Sequence, residues 1–272
     1  MKLSVVIADT DAHENAFVVW RGFEESIRKA KDYGYDGVEL ALKRSQEVDV
    51  ANLRRLLKQT GLEVSAISTG QVFAALGLYL THEDKKKRQE AILVLKGLVT
   101  LASEFGRIVN IGRARGFYTD AQTNQEAEEL FLTSLYDIAQ EADKKGVSIV
   151  IEPVNRYEIN FINNLNECAE LLKKLNMKNV GMMPDSFHMN IEDASFSKAF
   201  IDNAQYVKYV HLADSNRHAP GDGHIDFDEI FKALKKIGYD GWIAAEILPI
   251  PSPDEAASRA VKYLRNMLRK YQ

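Results

Sequence analysis

The chain has 272 residues, of which 46% are hydrophobic and 27% charged, a balance that suits one α/β domain spanning 1–272 with a full apolar core. A net charge of −4 argues against the basic surface that a nucleic-acid partner normally needs. No apolar run reaches bilayer-spanning length, and the single cysteine, Cys168, allows no disulfide within the chain, so a cytoplasmic protein without a membrane segment is expected.

Strand-like and helix-like segments alternate eight times along the chain. The opening residues lead straight into an apolar strand at 3–8 rather than into a leader-like stretch. Further strands are predicted at 37–42, 63–69, 107–111, 148–152, 180–183, 207–211 and 241–247. Most are short and rich in Val and Ile without alternation, the pattern of parallel strands covered on both faces. Helical periodicity fills the intervals at 23–33, 50–59, 85–105, 125–145, 166–175, 197–203, 227–237 and 254–271. Gly34, Gly61, Gly146 and Gly238 fall just past helix ends, where a left-handed cap favours a residue without Cβ. Ser252-Pro253-Asp254-Glu255 reads as a helix start with Ser as cap, Pro at the first position and Glu completing a capping box. Cys168 shares a helical face with Leu171, Leu172 and Leu175, which makes it a buried packing residue.

Eight βα units predict a single (β/α)8 TIM barrel with its chemistry at the C-terminal ends of the strands. A doubly wound open sheet is the alternative. It would need a glycine-rich phosphate turn after the first strand, and Ala8-Asp9-Thr10-Asp11-Ala12-His13 supplies none. A small echo between 33–39 and 237–242, each reading helix end, Gly-Tyr-Asp-Gly turn and strand, suits a fold of repeated units.

Four residues close four successive predicted strands: Glu152, Asp185, His211 and Glu246. Each alone could be a loop residue that caps a helix. Together, three carboxylates and an imidazole at equivalent positions point to ligands of one divalent metal ion. Oxygen-rich ligation with one imidazole suits Mn²⁺, with Mg²⁺ or Co²⁺ as alternatives, better than a structural zinc.

The segments around these residues carry a resemblance. Glu152-Pro153-Val154-Asn155-Arg156-Tyr157-Glu158, Asp185-Ser186-Phe187-His188-Met189-Asn190, and His211-Leu212-Ala213-Asp214-Ser215-Asn216-Arg217 followed by Pro220-Gly221-Asp222-Gly223-His224 resemble motifs of the ketose 3-epimerases. These form the sugar isomerase and epimerase branch of the xylose-isomerase-like TIM barrels. With Ser68-Thr69-Gly70-Gln71, the chain looks most similar to the 5-keto-L-gluconate epimerase type, then to D-tagatose and D-allulose 3-epimerases. The resemblance implies that Glu152, Asp185, His211 and Glu246 hold the metal. It further implies that Glu152 and Glu246 form the acid/base pair and that Glu158, His188 and Arg217 contact a sugar or keto-sugar acid. Dimers or tetramers are implied as well. Ser186 stands where relatives often carry Thr and keeps the hydroxyl.

Chemistry supports that division of labour. Inverting a carbon beside a ketone needs a Lewis acid on the substrate oxygens and two proton carriers on opposite faces. His188 could polarise a substrate oxygen or serve as a supporting or capping residue; Arg217 and Glu158 could hold hydroxyls or each other. Arg113 or Arg115, after the fourth predicted strand, could hold a substrate carboxylate in a two-pronged hydrogen bond, favouring a keto-acid. Trp20, Phe73 and residues 247–251 are candidate walls. Three other readings stay open. The first is an aldose–ketose isomerase of the hydroxypyruvate type. The second is a DNA-repair endonuclease with a trinuclear zinc site of the endonuclease IV type, drawing on His188, Asp222 and His224. The third is a sugar-binding protein without catalysis.

Overall fold

A computed structural model of the protein describes residues 1–14 and 16–271. Its core is a parallel sheet. In chain order the strands are β1 (Lys2–Ala8), β2 (Trp20–Arg21), β3 (Gly37–Ala41), β4 (Glu63–Ser68), β5 (Ile108–Ile111), β6 (Ser148–Ile151), β7 (Val180–Met182), β8 (Val210–Leu212) and β9 (Trp242–Ala245). The spatial order is β7-β6-β5-β4-β3-β1-β9-β8, with the two-residue β2 added beside β1. The two ends of this row meet through parallel bridges, Met182 with Val207 and Asp185 with His211. The sheet therefore closes into the expected barrel, its eight main strands joined in turn by helical crossovers on the outside, with β2 lying in the first of these connections.

The helices are α1 (Phe23–Tyr33), α2 (Val50–Thr60), α3 (Gly70–Leu76), α4 (Lys85–Ala102), α5 (Asn124–Lys144), α6 (Leu165–Leu175), α7 (Ser186–Glu192), α8 (Phe196–Asp202), α9 (Phe227–Lys236) and α10 (Pro253–Tyr271). Eight match the sequence reading to within about three residues. The two that do not, α3 and α7, lie at the barrel mouth, where polar and small residues interrupt apolar periodicity. Asp49, Asp84, Thr123 and Asn164 each cap a helix through the side chain. The Ser252 hydroxyl likewise accepts from the Glu255 N–H. Glu255 does not complete the expected capping box; its side chain turns to Arg259. Among the described residues no helix is long and apolar enough to cross a membrane.

Strand alternation sorts side chains into two layers. Leu3, Val5 and Ile7 face the helices and join the large outer core, whereas Val6 and Ala8 face the barrel axis with Ala41, Ala66, Val150, Met183 and Ala244. Each full burial of such a side chain contributes about 1.5–3 kcal/mol, so the outer layer supplies most of the driving force. The inner layer is made of smaller residues, and it admits polar ones. Between β3 and β4 the pairing jumps from Val38 opposite Val64 to Glu39 opposite Ala66, leaving Ser65 as an extra residue. The Ser65 hydroxyl bonds Ser4 at 2.9 Å and Tyr209 at 2.7 Å inside the barrel.

Candidate metal centre and substrate cavity

All four quartet residues converge at the mouth. Glu152 and Glu246 directly follow β6 and β9, Asp185 lies three residues past β7, and His211 is the middle residue of β8, which starts at Val210 rather than at the expected 207. One ligand atom from each lies within 4.8 Å of the others. His211 Nδ1 stands 3.9 Å from Glu152 Oε1 and 3.7 Å from Glu246 Oε2, and it is buried without a hydrogen-bond partner. An orphaned imidazole nitrogen aimed among three carboxylates is what a cation would satisfy, so the residues fit a bound divalent metal.

Their electrostatics follow from crowding. Burial, with Glu246 and Asp185 nearby, raises the Glu152 carboxyl to about 8. Burial also raises Asp185, against the pull of Arg217. On Glu246 burial acts in the same sense, but Arg217 and His211 outweigh it and hold that carboxyl below the usual range. Burial disfavours a charge on His211, yet Glu39 and Glu246 together push its pKa well above the ordinary histidine value. The crowded carboxyls thus resist ionising together unless a positive charge is shared among them.

Arg217 is buried on the loop after β8, with a positive φ of 60°. Its guanidinium pairs with Glu246 and lies 3.4 Å from Asp185 Oδ2. The Phe17 ring, with its centroid 3.9 Å away, and the Phe187 ring, at 4.7 Å, flank it. Asp214 organises the loop by accepting from the N–H groups of Ser215, Gly221 and Ile225. A Cβ on Gly223 would meet the Asp214 carboxylate at 2.2 Å, which explains a glycine there.

His188, on α7, is also buried. Its Nδ1 accepts from the Asn155 backbone N–H at 3.3 Å, and its Nε2 lies 3.3 Å from Nη1 of Arg217, a group that can only donate. Nε2 faces the cavity, 3.7 Å from Glu152 Oε1 and 3.8 Å from Asp185 Oδ2. Burial and the neighbouring Arg217 hold the ring neutral, its pKa well below the ordinary value. A neutral imidazole with Nε2 at the cavity is a hydrogen-bond donor for a substrate oxygen in the tautomer that leaves Nδ1 to accept from Asn155. Glu158 accepts from the Asn155 amide at 3.1 Å and stands 3.7 Å from Arg113.

Ser186 shows why a hydroxyl is kept there: it donates to the Ala213 carbonyl at 2.7 Å and accepts from the Ala213 N–H at 3.0 Å, tying the loops after β7 and β8 together. A Cβ at Gly112 would sit 2.5 Å from Glu152 Oε2, so the chain after β5 passes close to that carboxylate. The cavity above the quartet is walled by Phe17, Gln71, Arg113, Glu158, His188 and Arg217.

Three expectations change. Arg115 does not reach this cavity; it is fully buried, and its guanidinium donates to the carbonyls of Gly112, Glu152, Phe161 and Ile162. Trp20 turns outward, its indole N–H donating to Asp254 at 2.7 Å, and Phe73 packs on Tyr79 and Phe117 beneath Arg113. Neither ring lines the cavity. Asp222 and His224 bond Arg259 and Ser215, and among the described residues neither joins the quartet. Three site residues escaped the sequence reading: Glu39, Asn155 and Asn110. Glu39 had a signal, a lone carboxylate inside an otherwise apolar strand. Asn110, whose amide lies 3.3 Å from Glu152, had the same kind of signal in β5.

A sequence profile described as a xylose isomerase-like TIM barrel matches residues 27–267. The chain belongs to that family. Among curated relatives, the ketose 3-epimerase of Arthrobacter globiformis is 31% identical over 260 residues, covering 90% of this chain and 84% of the relative. The 3-dehydro-D-guloside 4-epimerase of Escherichia coli (strain K12) is 26% identical, covering 89% and 93%. In fold, the crystal structure of D-allulose 3-epimerase from Methylomonas sp. in complex with D-allulose matches with a TM-score of 0.84 at 24% identity, covering 98% of this chain and 97% of that one.

Proposed function

We propose that this member of the xylose isomerase-like family is a divalent-metal-dependent epimerase that inverts the carbon beside the ketone of a sugar. The observation that carries the reading is the quartet itself: two glutamates on either side of an unpartnered His211 nitrogen, in a chain whose curated relatives are epimerases of ketoses and keto-glycosides. Mn²⁺ is the preferred ion, given three carboxylates and one imidazole.

A cation held by Glu152, Asp185, His211 and Glu246 would act as a Lewis acid toward the substrate carbonyl and the neighbouring hydroxyl. One glutamate takes the proton from the carbon beside the ketone, and the C–H electrons move toward the carbonyl oxygen. The other glutamate returns a proton to the opposite face of the flattened carbon, which restores the ketone and completes the inversion. His188 donates its Nε2–H to a substrate oxygen, Arg217 keeps Glu246 deprotonated, and Glu158 accepts from a hydroxyl. With Arg115 committed to the backbone, Arg113 alone is left for a carboxylate, and Glu158, 3.7 Å away, already offers it one. We therefore favour a neutral ketose over a keto-acid.

The test is exchange in D₂O with Mn²⁺-loaded protein, offering fructose, tagatose, 5-keto-gluconate, tagaturonate and hydroxypyruvate separately and following each by NMR. Deuterium entering beside the ketone, with formation of the epimer, supports the proposal; absence of exchange in all five would sink it. Aldose formation would replace epimerisation with isomerisation at the same site. Glu246→Gln is expected to lower turnover at least 100-fold, within the range typical of a lost general acid/base.

A further inference from the structure

Barrel interiors are usually filled by branched apolar side chains. Beneath the quartet this one carries a polar column instead: Ser4, Ser65, Tyr209 and Glu39. Glu39 lies on β3 with 0% exposure. Its Oε2 is 2.8 Å from His211 Nε2, and its Oε1 has no partner. Among the described residues no lysine or arginine pairs with it. A buried carboxylate with a single strong partner is costly to keep unless that partner matters.

The geometry suggests what the partner gains. A carboxylate only accepts hydrogen bonds, so the ring nitrogen facing Glu39 must carry a hydrogen. Nε2 is thereby committed as N–H, and the lone pair a metal needs is left to Nδ1, the nitrogen directed at Glu152 and Glu246. Tyr209 packs edge-on against the His211 ring, with centroids 5.7 Å apart, and its hydroxyl is held from below by Ser65 and Ser4. The ring is thus supported on its side and fixed at its rear nitrogen.

We propose that Glu39 is a positioning residue for the metal centre: it sets the tautomer and orientation of His211 and strengthens Nδ1 as a ligand. The inference rests on the metal-dependent reading above. It explains a charged residue placed mid-strand where the barrel would otherwise be apolar, and it assigns a role to a side chain that does not reach the cavity. Supporting carboxylates of this kind typically change metal affinity by about 10–100-fold when removed.

Mn²⁺ affinity of the full-length protein, freed of metal with a chelator, provides the test; free Mn²⁺ is followed by electron paramagnetic resonance. Glu39→Gln and Glu39→Leu are expected to weaken Mn²⁺ binding about 10–100-fold. Ser4→Ala, at the base of the column, where the hydroxyl bonds Ser65 and Tyr209 rather than Glu39 or His211, should change it less than threefold. Melting measured in chelator keeps folding separate from binding. A second reading comes from ¹⁵N shifts of the His211 ring in Mg²⁺-loaded protein: Nε2 protonated in the parent, and no longer uniformly so in Glu39→Gln, whose amide can present N–H instead. Folded Glu39 variants that bind Mn²⁺ within twofold of the parent would overturn the inference, as would Ser4→Ala weakening binding equally. If the parent takes up no Mn²⁺, the metal-dependent reading fails, and the role of Glu39 with it.

Discussion

Arg113 and Arg115 sit two positions apart and do unrelated jobs. Arg115 donates to four carbonyls in a site without solvent, and burial lowers its pKa only to about 10, so it stays charged at neutral pH. Arg115→Met removes those bonds and strands the carbonyls, for which a loss of about 3–5 kcal/mol is expected; a urea titration measures it. Arg113→Ala, at a half-exposed position on the cavity wall, should leave the urea midpoint unchanged and raise KM several-fold. Gly112→Ala gives the converse pattern. Its Cβ would displace the Glu152 carboxylate, so kcat should fall at least tenfold while the melting temperature moves by only a few degrees. Steady-state kinetics with a calorimetric scan reads both.

At the scale of elements, α7 is the instructive case. Asp185 caps it by accepting from the Phe187 N–H at 2.8 Å, so a carboxylate of the quartet also starts a helix. Its last turn ends at Asp193, a carboxylate at the negative end of a helix. Burial raises Asp193 to about 6, only partly offset by the Leu165 N–H. A carboxyl raised in the folded state contributes most at low pH and loses that contribution as pH climbs from the ordinary value of 3.8 through about 6. Asp193→Asn should accordingly raise the melting temperature at pH 8 and leave it nearly unchanged at about pH 3, below the ordinary aspartate value; equal shifts at both would refute the assignment. The helix was illegible in the sequence because seven residues hold barely two turns, and Ser186, His188 and Asn190 break any apolar stripe. The long helices α4, α5 and α10 show their period plainly, and the strands were legible because burial on both faces leaves uninterrupted Val and Ile.

Across the whole molecule, the four proposed ligands were legible because a parallel barrel turns strand ends into neighbours, so equivalent positions in sequence become one place in space. What supports them was not. Asn155 and Asp214 act through contacts between segments far apart or folded back in loops, for which no local pattern exists, and Glu39 shows as a lone carboxylate in an apolar strand without showing what it faces. The same holds for Arg115, whose type suggests a ligand and whose surroundings make it a clamp.

The barrel closes between β7 and β8, and this join is thin: β1 pairs with β3 through five registered positions, whereas the join has the Met182–Val207 and Asp185–His211 bridges alone. The hydrogen bonds across it run from Lys208 N–H to Met182 O at 3.1 Å and from His211 N–H to Pro184 O at 2.9 Å. Two of the proposed ligands therefore face each other over the last gap to be shut. A cation gripping both would work like a clasp on a hoop, so that binding it and completing the ring become one thermodynamic event. Amide exchange at Lys208 and His211 should be faster than at the β1–β3 join in chelator and slow markedly when Mn²⁺ is added. Unchanged exchange at those two amides would show that the hoop holds without its clasp.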